Sequence, residues 1–362
     1  MNEAGTSSVT SALRSLVRQQ VERAGGWLPF DRFMALVLYA PGLGYYANAS
    51  RKFGAMPQQG SDFVTAPEMS PLFGATLAVQ VGEALERTGK SEVWEFGAGT
   101  GALAHQLLGA LGDRVSRYVI VELSASLRER QQQLLAPYAD RVEWVAELPD
   151  SFEGVVVGNE VLDAMPVKLL VRKGGTWHER GVDLGLAWSD RPTELRPPVE
   201  IAGEHDYLTE THPHALAFIR TLADRLARGA AFFIDYGFPE AEYYHPQRHM
   251  GTLMCHRAHM ADTDPLADIG QKDITAHVDF TGIAVAAQEA GLATLGYTSQ
   301  GRFLVNCGIV QAMAASPTKE QVAAQRLIAE HEMGELFKVL ALHKGAYWDA
   351  TGFREGDRTH TL

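Results

Sequence analysis

The stretch "VWEFGAGTGAL", Val93–Leu103, decides how this chain is read. A run of strand character, "EVWEF", meets three glycines in five positions, Gly97, Gly99 and Gly101, and "ALAHQLLGALG" follows as a helix. Glycines between a strand and a helix let the backbone turn sharply and let a ligand approach it closely. Gly97-x-Gly99-x-x-Ala102 also satisfies the dinucleotide pattern, so the glycines alone leave two ligand classes open. Glu95, inside the strand just before the first glycine, separates them. Its carboxylate repels a pyrophosphate, whereas S-adenosylmethionine has no phosphate and carries an ammonium and a sulfonium. Glu122 ends the next strand about 20 residues on and can accept hydrogen bonds from the ribose hydroxyls of either ligand.

Outward from this turn, strands and helices alternate. "RYVIVE", "RVEWV", "GVVVG" and "AAFFIDYG" read as strands, with "SASLRERQQQLLAPY" and "PHALAFIRTLADRLARG" as helices between them. Late in the chain, "FTGIAVAAQEAG" reads as a helix, and "LATLGYTS" and "LFKVLALHKG" as strands. This alternation predicts an α/β core with a parallel sheet covered on both faces. Upstream, "SVTSALRSLVRQQVERAG" spaces Leu13, Leu16, Val17 and Val21 at helical period and stops at Gly25-Gly26. A further helix begins after Ser70, a predicted N-cap with Pro71 at the first position. "VKLLVRKGGTWHERGVDLGLAWSD" predicts a hairpin turning at Gly174-Gly175. A segment of about residues 238–282 is polar and aromatic with little periodicity.

Composition narrows the function. The net charge is −12, with no basic stripe, which argues against a nucleic-acid partner. No apolar run approaches the roughly 18 residues of a membrane span. The N-terminus has no apolar signal region, and Glu3 counts against a transit peptide. Cys255 and Cys307 are too few and too far apart for a disulfide framework. The expectation is a cytoplasmic protein with no membrane insertion.

"GNEVLDAMP", Gly158–Pro166, places Asn159, Glu160 and Asp163 at the end of an apolar strand. In an open parallel sheet ligands sit outside the carboxyl ends of the strands, so Glu95, Glu122 and Asn159-Glu160 face one crevice. "SDFVTAPEMS" offers Asp62, Thr65 and Glu68 to cover it, against the alternative of turn chemistry and capping. Tyr45 and Tyr46 form an aromatic wall or core packing. "DITAHVDF" offers Asp273, His277 and Asp279, either as substrate contacts or as a hydrogen-bonded turn before the next helix. His245, His249, Cys255, His256 and His259 lack metal-ligand spacing, and no metal is expected.

With Glu95, the glycines and Glu122 in place, the chain resembles class I S-adenosylmethionine-dependent methyltransferases. The segments "LYAPGLGYYAN", "SDFVTAPEMSPLFG", "WEFGAGTGALA", "GNEVLDAMPV", "FFIDYGF", "GTLMCHRAHM" and "DITAHVDFTGI" run in the order expected of the MidA family. The resemblance implies a Rossmann-like seven-stranded sheet. It divides the chain into residues 1–90, a helical region and cofactor cover, and residues 91–362, a methyltransferase core with insertions at about 167–200 and 238–282. It implies S-adenosylmethionine as cofactor, held by Glu95, Gly97, Gly99, Gly101, Glu122, Asn159 and Thr65. The family includes the mitochondrial protein arginine methyltransferase that assists respiratory complex I assembly. The expected partner is therefore a protein substrate, a respiratory-complex subunit methylated on arginine, with a homodimer as one allowed arrangement.

The acids suit that chemistry. A guanidinium stays protonated, and its lone pairs are delocalised. Carboxylates can grip it bidentately, orient one nitrogen and receive the released proton. Glu160 and Asp163, with His277, are the expected catalytic groups, and Asp62, Glu68, Tyr46 and Asp279 the expected substrate contacts. Two other readings stay open: a non-catalytic assembly chaperone that retains a cofactor pocket, and an NAD-dependent oxidoreductase.

Overall fold

The computed structural model describes residues 3–47, 65–257 and 260–362, with side chains described from residue 8 onward. Helix α1 (Glu3–Arg23) buries Leu13, Val17 and Val21 and stops ahead of Gly25 and Gly26, both at positive φ. Strand β1 (Trp27–Pro29) leads into α2 (Phe30–Tyr39). After a single turn, α3 (Ala66–Met69), the chain enters α4 (Pro71–Thr88) through the buried Ser70, whose hydroxyl accepts from the Leu72 amide. Ser70→Ala should cost about 1 kcal/mol and lower Tm by roughly 2 °C in a melting experiment, because a helix-start amide loses its acceptor.

The main sheet starts with β2 (Glu92–Phe96), α5 (Ala102–Leu111), β3 (Arg117–Val121), α6 (Ala125–Leu134), β4 (Val142–Val145) and β5 (Phe152–Asn159). In β5, Val155 and Val157 pack on one face beneath α4 and α5, with Leu77, Val81 and Leu107. Val156 packs on the other with Trp94, Ile219 and Phe233. Alternation of side chains along a strand buried on both faces produces these two cores and explains the unbroken "VVV".

The hairpin forms as expected. β6 (Lys168–Lys173) and β7 (Thr176–Asp183) pair antiparallel about Gly174 and Gly175, at φ 52° and 77°. Two positive φ values in a two-residue loop match the twist of the strands it joins. β8 (Trp188–Pro192), β9 (Tyr207–Thr211) and β1 complete a five-stranded second sheet, so this insertion extends past residue 200 and binds the N-terminal region. A third core results, in which Phe30, Phe33 and Val37 meet Val167, Leu169 and Val182.

The chain returns to the main sheet through α7 (Pro213–Arg225) and β10 (Leu226–Phe238). After α8 (Glu240–Tyr243), the polar segment folds into a small sheet of β11 (Met254–Arg257), β12 (Met260–Asp262) and β13 (Asp273–Thr275). Then come β14 (Val278–Asp279), α9 (Phe280–Glu289), β15 (Ala293–Ser299), α10 (Gln300–Asn306), α11 (Ile309–Ala314), α12 (Thr318–Ile328) and β16 (Phe337–Lys344).

The main sheet order is β15-β16-β10-β5-β2-β3-β4. Two expectations change. The two-residue β14 adds to β10, giving eight strands and not seven. The sheet is also mixed, since β16 lies antiparallel to both β10 and β15. Helices α10–α12 return the chain to the end at which β15 finished, so β16 must run the opposite way.

Candidate active site

The carboxyl ends of β2, β3 and β5 open onto a cavity of about 1290 Å³. Glu95, Gly97, Gly99, Glu122, Asn159, Glu160 and Asp163 line it together, with Thr65, Glu68 and Tyr46 from the cover. Parallel neighbours in register bring this about: Phe96 is level with Val121 of β3 and Gly158 of β5. Residues just past those positions therefore share one edge.

The glycine turn is held from two sides. Gly97 sits at φ 65°, and a Cβ there would lie 2.8 Å from Val161 Cγ2. Gly99 is at φ 52°. The Gln131 side-chain amide donates to the Gly99 carbonyl at 2.9 Å and to Glu122 Oε2 at 3.1 Å, while Trp144 Nε1 donates to Gln131 Oε1 at 2.9 Å. Glu122 Oε1 accepts from the Ser124 amide at 2.7 Å. Gln131 therefore ties the turn to the acid at the end of β3. Glu95 is buried and accepts from the Tyr118 hydroxyl at 2.6 Å. Burial pushes its pKa up to about 7, opposed by that hydrogen bond and assisted by Glu122.

Helix α3 closes one wall. The Thr100 hydroxyl donates to Glu68 Oε1 at 3.1 Å, and Gln106 Nε2 donates to the Pro67 carbonyl at 2.7 Å. Thr65 stands at the N-cap without a side-chain cap bond.

The opposite wall is acidic and aromatic. Glu160 takes φ 53°, a left-handed conformation uncommon for a residue with a side chain. Asn159 Nδ2 donates to Glu160 Oε1 at 2.9 Å. Burial, then the Asp163 charge, pushes the Glu160 pKa up to about 8. Burial likewise raises Asp163 to about 6, opposed by the Tyr236 hydroxyl. Tyr39 and Tyr46 stack with centroids 5.5 Å apart; their hydroxyls donate to the Ala164 carbonyl at 2.8 Å and to Asp273 Oδ1 at 2.7 Å. Asp273 lines the cavity as well.

Three of the expected site residues fall elsewhere. Gly101 starts α5 at φ 86° with its missing side chain aimed at Gln131, so it shapes the turn without lining the cavity. His277 sits one layer behind the wall, its ring 5.6 Å from that of Tyr236 and 5.3 Å from that of Phe238. Its pKa falls to about 4 through burial and the Arg248 and Lys338 charges. Asp279 caps α9, accepting from the Gly282 amide. From "DITAHVDF" the cavity therefore takes Asp273 and neither His277 nor Asp279. Asp62 and His259 lie outside the described residues. Among the described residues no three His, Cys, Asp or Glu side chains gather in a metal-binding arrangement.

Sequence reasoning passed over Tyr39, Thr100, Gln131 and Tyr236. Tyr39 ends an amphipathic helix and Gln131 lies mid-helix, so neither carried a local signal. Tyr236 lies in "FFIDYGF", where strand character alone does not distinguish a cavity-lining residue from a core one.

The described lining contains six carboxylates, on Glu68, Glu95, Glu122, Glu160, Asp163 and Asp273, against one arginine, Arg326, and two histidines. Glu68 Oε2, Asn159 Oδ1 and Asp163 Oδ1 are buried without a hydrogen-bond partner. Buried acceptors of this kind are costly unless a ligand brings donors to them. A cationic, donor-rich ligand fits this cavity, and a pyrophosphate does not.

An S-adenosyl-L-methionine-dependent methyltransferase family model matches residues 75–298, and the chain belongs to that family. S-adenosyl-L-methionine is its cofactor. A Burkholderia thailandensis protein crystallised with S-adenosyl-homocysteine shares 49% identity and superposes with a TM-score of 0.94, covering 100% of this chain and 99% of its own. The human mitochondrial protein arginine methyltransferase NDUFAF7 is 29% identical over 398 residues, covering 94% of this chain and 85% of the human one. Its Caenorhabditis elegans homolog is 26% identical over 366 residues, covering 88% and 84%. The oxidoreductase reading is thereby set aside. No helix of the described residues is long and apolar enough to cross a membrane.

Proposed function

We propose that this enzyme methylates an arginine of a protein, in particular a subunit of a respiratory NADH dehydrogenase, in the cytoplasm. The carrying observation is the acidic wall, where Glu160, Asp163 and Asp273 converge beside two stacked tyrosines. The likeness to the arginine methyltransferases supports the same reading.

In this reading Glu122 receives the ribose hydroxyls of the cofactor and Glu95 faces its methionine end. Gly97 and Gly99 let the backbone come close, and Asn159 and Thr65 complete the enclosure. The cofactor supplies a methyl group already activated by its sulfonium. The chain's own task is to align the acceptor, exclude water and place charge. Glu160 and Asp163 hold the guanidinium by charge-assisted hydrogen bonds, localise its positive charge and take the released proton. Glu68 and Tyr46 bound the acceptor side with Asp273.

The raised pKa values give this reading a pH signature. Glu160 must be ionised to grip a cation, and it is largely protonated below about pH 8 in the free enzyme. The kcat/KM for methyl transfer should therefore rise by tenfold or more from pH 6 to pH 8, since kcat/KM reports the free enzyme. In Glu160→Gln that limb should flatten. A flat profile in the parent enzyme would remove Glu160 from the acceptor site.

Mass spectrometry of respiratory-complex subunits from cells with and without the gene tests the target. A methylarginine missing from one subunit in the deletion strain identifies it. No difference in any subunit overturns the proposed target, and binding of S-adenosyl-homocysteine without turnover on any protein favours the assembly-chaperone reading.

A further inference from the structure

Glu160 reaches the cavity from an improbable backbone conformation, and something must hold it there. The holding group is found on the neighbouring strand. Asp235, in β10, is buried and does not line the cavity. Its Oδ2 accepts from three successive amides of the loop after Glu160: Val161 at 3.2 Å, Leu162 at 2.9 Å and Asp163 at 3.2 Å. Its Oδ1 accepts from the Tyr236 amide at 3.0 Å. The Glu160 amide itself donates to the Ile234 carbonyl, one residue before Asp235, at 2.9 Å.

Three consecutive N–H groups converging on one oxygen is the geometry of a backbone nest around an anion. Here the acceptor belongs to the chain: it is the Asp235 carboxyl, whose pKa burial and the neighbouring Asp163 and Glu160 push well above the usual carboxylate range, and the nest is the loop that carries both Glu160 and Asp163. Forming it requires residues 161–163 to turn tightly in one sense, and the left-handed Glu160 is where the strand enters that turn. The following residue, Tyr236, lines the cavity with its hydroxyl beside Asp163, so one pair on β10 orders the loop from behind and completes it in front.

We propose that Asp235 is a positioning residue for methyl transfer: its carboxylate gathers the amides of Val161, Leu162 and Asp163 and so aims the Glu160 carboxylate into the cavity. This rests on the reading that Glu160 contacts the acceptor. Asp235→Asn keeps the size of the side chain but replaces one of two accepting oxygens with a donor amide, which can accept from neither the nest nor the Tyr236 amide, so the nest loosens while the β2 and β3 ends that hold the cofactor are untouched.

The test is a double-mutant cycle with the full-length enzyme. It uses tritiated S-adenosylmethionine, with total protein from the deletion strain as methyl acceptor. Asp235→Asn should lower the initial rate roughly 30-fold in the parent background and less than threefold in a Glu160→Gln background, with the S-adenosyl-homocysteine dissociation constant within threefold of the parent in both. A group acting through another shows this non-additivity. If Glu160→Gln alone retains the parent rate, the reading of Glu160 fails. If Glu160→Gln is impaired but Asp235→Asn is not, or if the two losses multiply, the positioning role is overturned. Should Asp235→Asn not yield folded protein, Asp235→Glu takes its place. It keeps both acceptor oxygens and displaces them by one methylene, and it should reproduce the same non-additive loss; a parent-like rate for it would equally overturn the proposal.

Discussion

Glu160→Gln is expected to lower kcat by about 10²–10⁴-fold while S-adenosyl-homocysteine still binds, as measured by calorimetry and single-turnover methylation. The range is that of a positioned acid–base group. Glutamine preserves the shape and the acceptor that Asn159 uses, but it can neither pair with a cation nor take its proton. Parent-like turnover in this variant would end the catalytic assignment. Glu160→Gly should be equally inactive, yet melt no lower than the parent at pH 8. Glycine accepts the left-handed conformation that costs glutamate about 1 kcal/mol. It also removes a carboxylate whose ionisation folding opposes. The sign follows from the raised pKa. Stability from the protonated carboxyl is complete below about pH 4.5 and is lost as the pH rises through about 8. Function and stability therefore pull apart at one residue.

Gly97→Ala is the second large effect expected. The φ of 65° is costly for any residue with a Cβ, by about 1–2 kcal/mol. The new methyl would also lie 2.8 Å from Val161 Cγ2, adding about 1–3 kcal/mol of overpacking unless the loop shifts. Val161 follows Glu160, so relief by movement displaces the acidic wall. The variant should melt several degrees lower, bind S-adenosyl-homocysteine at least tenfold more weakly and lose most of its methylation rate. Loss of cofactor binding with an unshifted loop in a crystal structure of the variant would show that only the turn was affected.

The donor half of the cavity was legible because it depends on local rules. Glycines between a strand and a helix, and acids at the carboxyl ends of parallel strands, are placed by chain order and register alone. Ser70 and the Gly174-Gly175 turn were legible for the same reason. What lay hidden depends on partners far apart in sequence. Tyr39 pairs with Ala164, 125 residues further along the chain, and Gln131 reaches both Gly99 and Glu122. In "DITAHVDF" three polar groups competed, and the choice turned on where β13 ends and α9 begins. Asp273 is still in a strand facing the cavity, whereas Asp279 already caps a helix. The reversed direction of β16 was hidden because alternation of strands and helices does not reveal which end a connection returns to.

The two pieces that bring Tyr39, Tyr46 and Asp273 to the cavity are not part of the main sheet. The tyrosines come with the N-terminal region and the aspartate with the small sheet of β11, β12 and β13. On the proposed assignment, the reaction and the choice of target rest on separate parts of one chain. The wall that selects the target can diversify between relatives while the donor pocket stays constant. Grafting both pieces together from one relative to another is then the exchange that should transfer target preference, whereas grafting either alone would break the Tyr46–Asp273 contact that joins them.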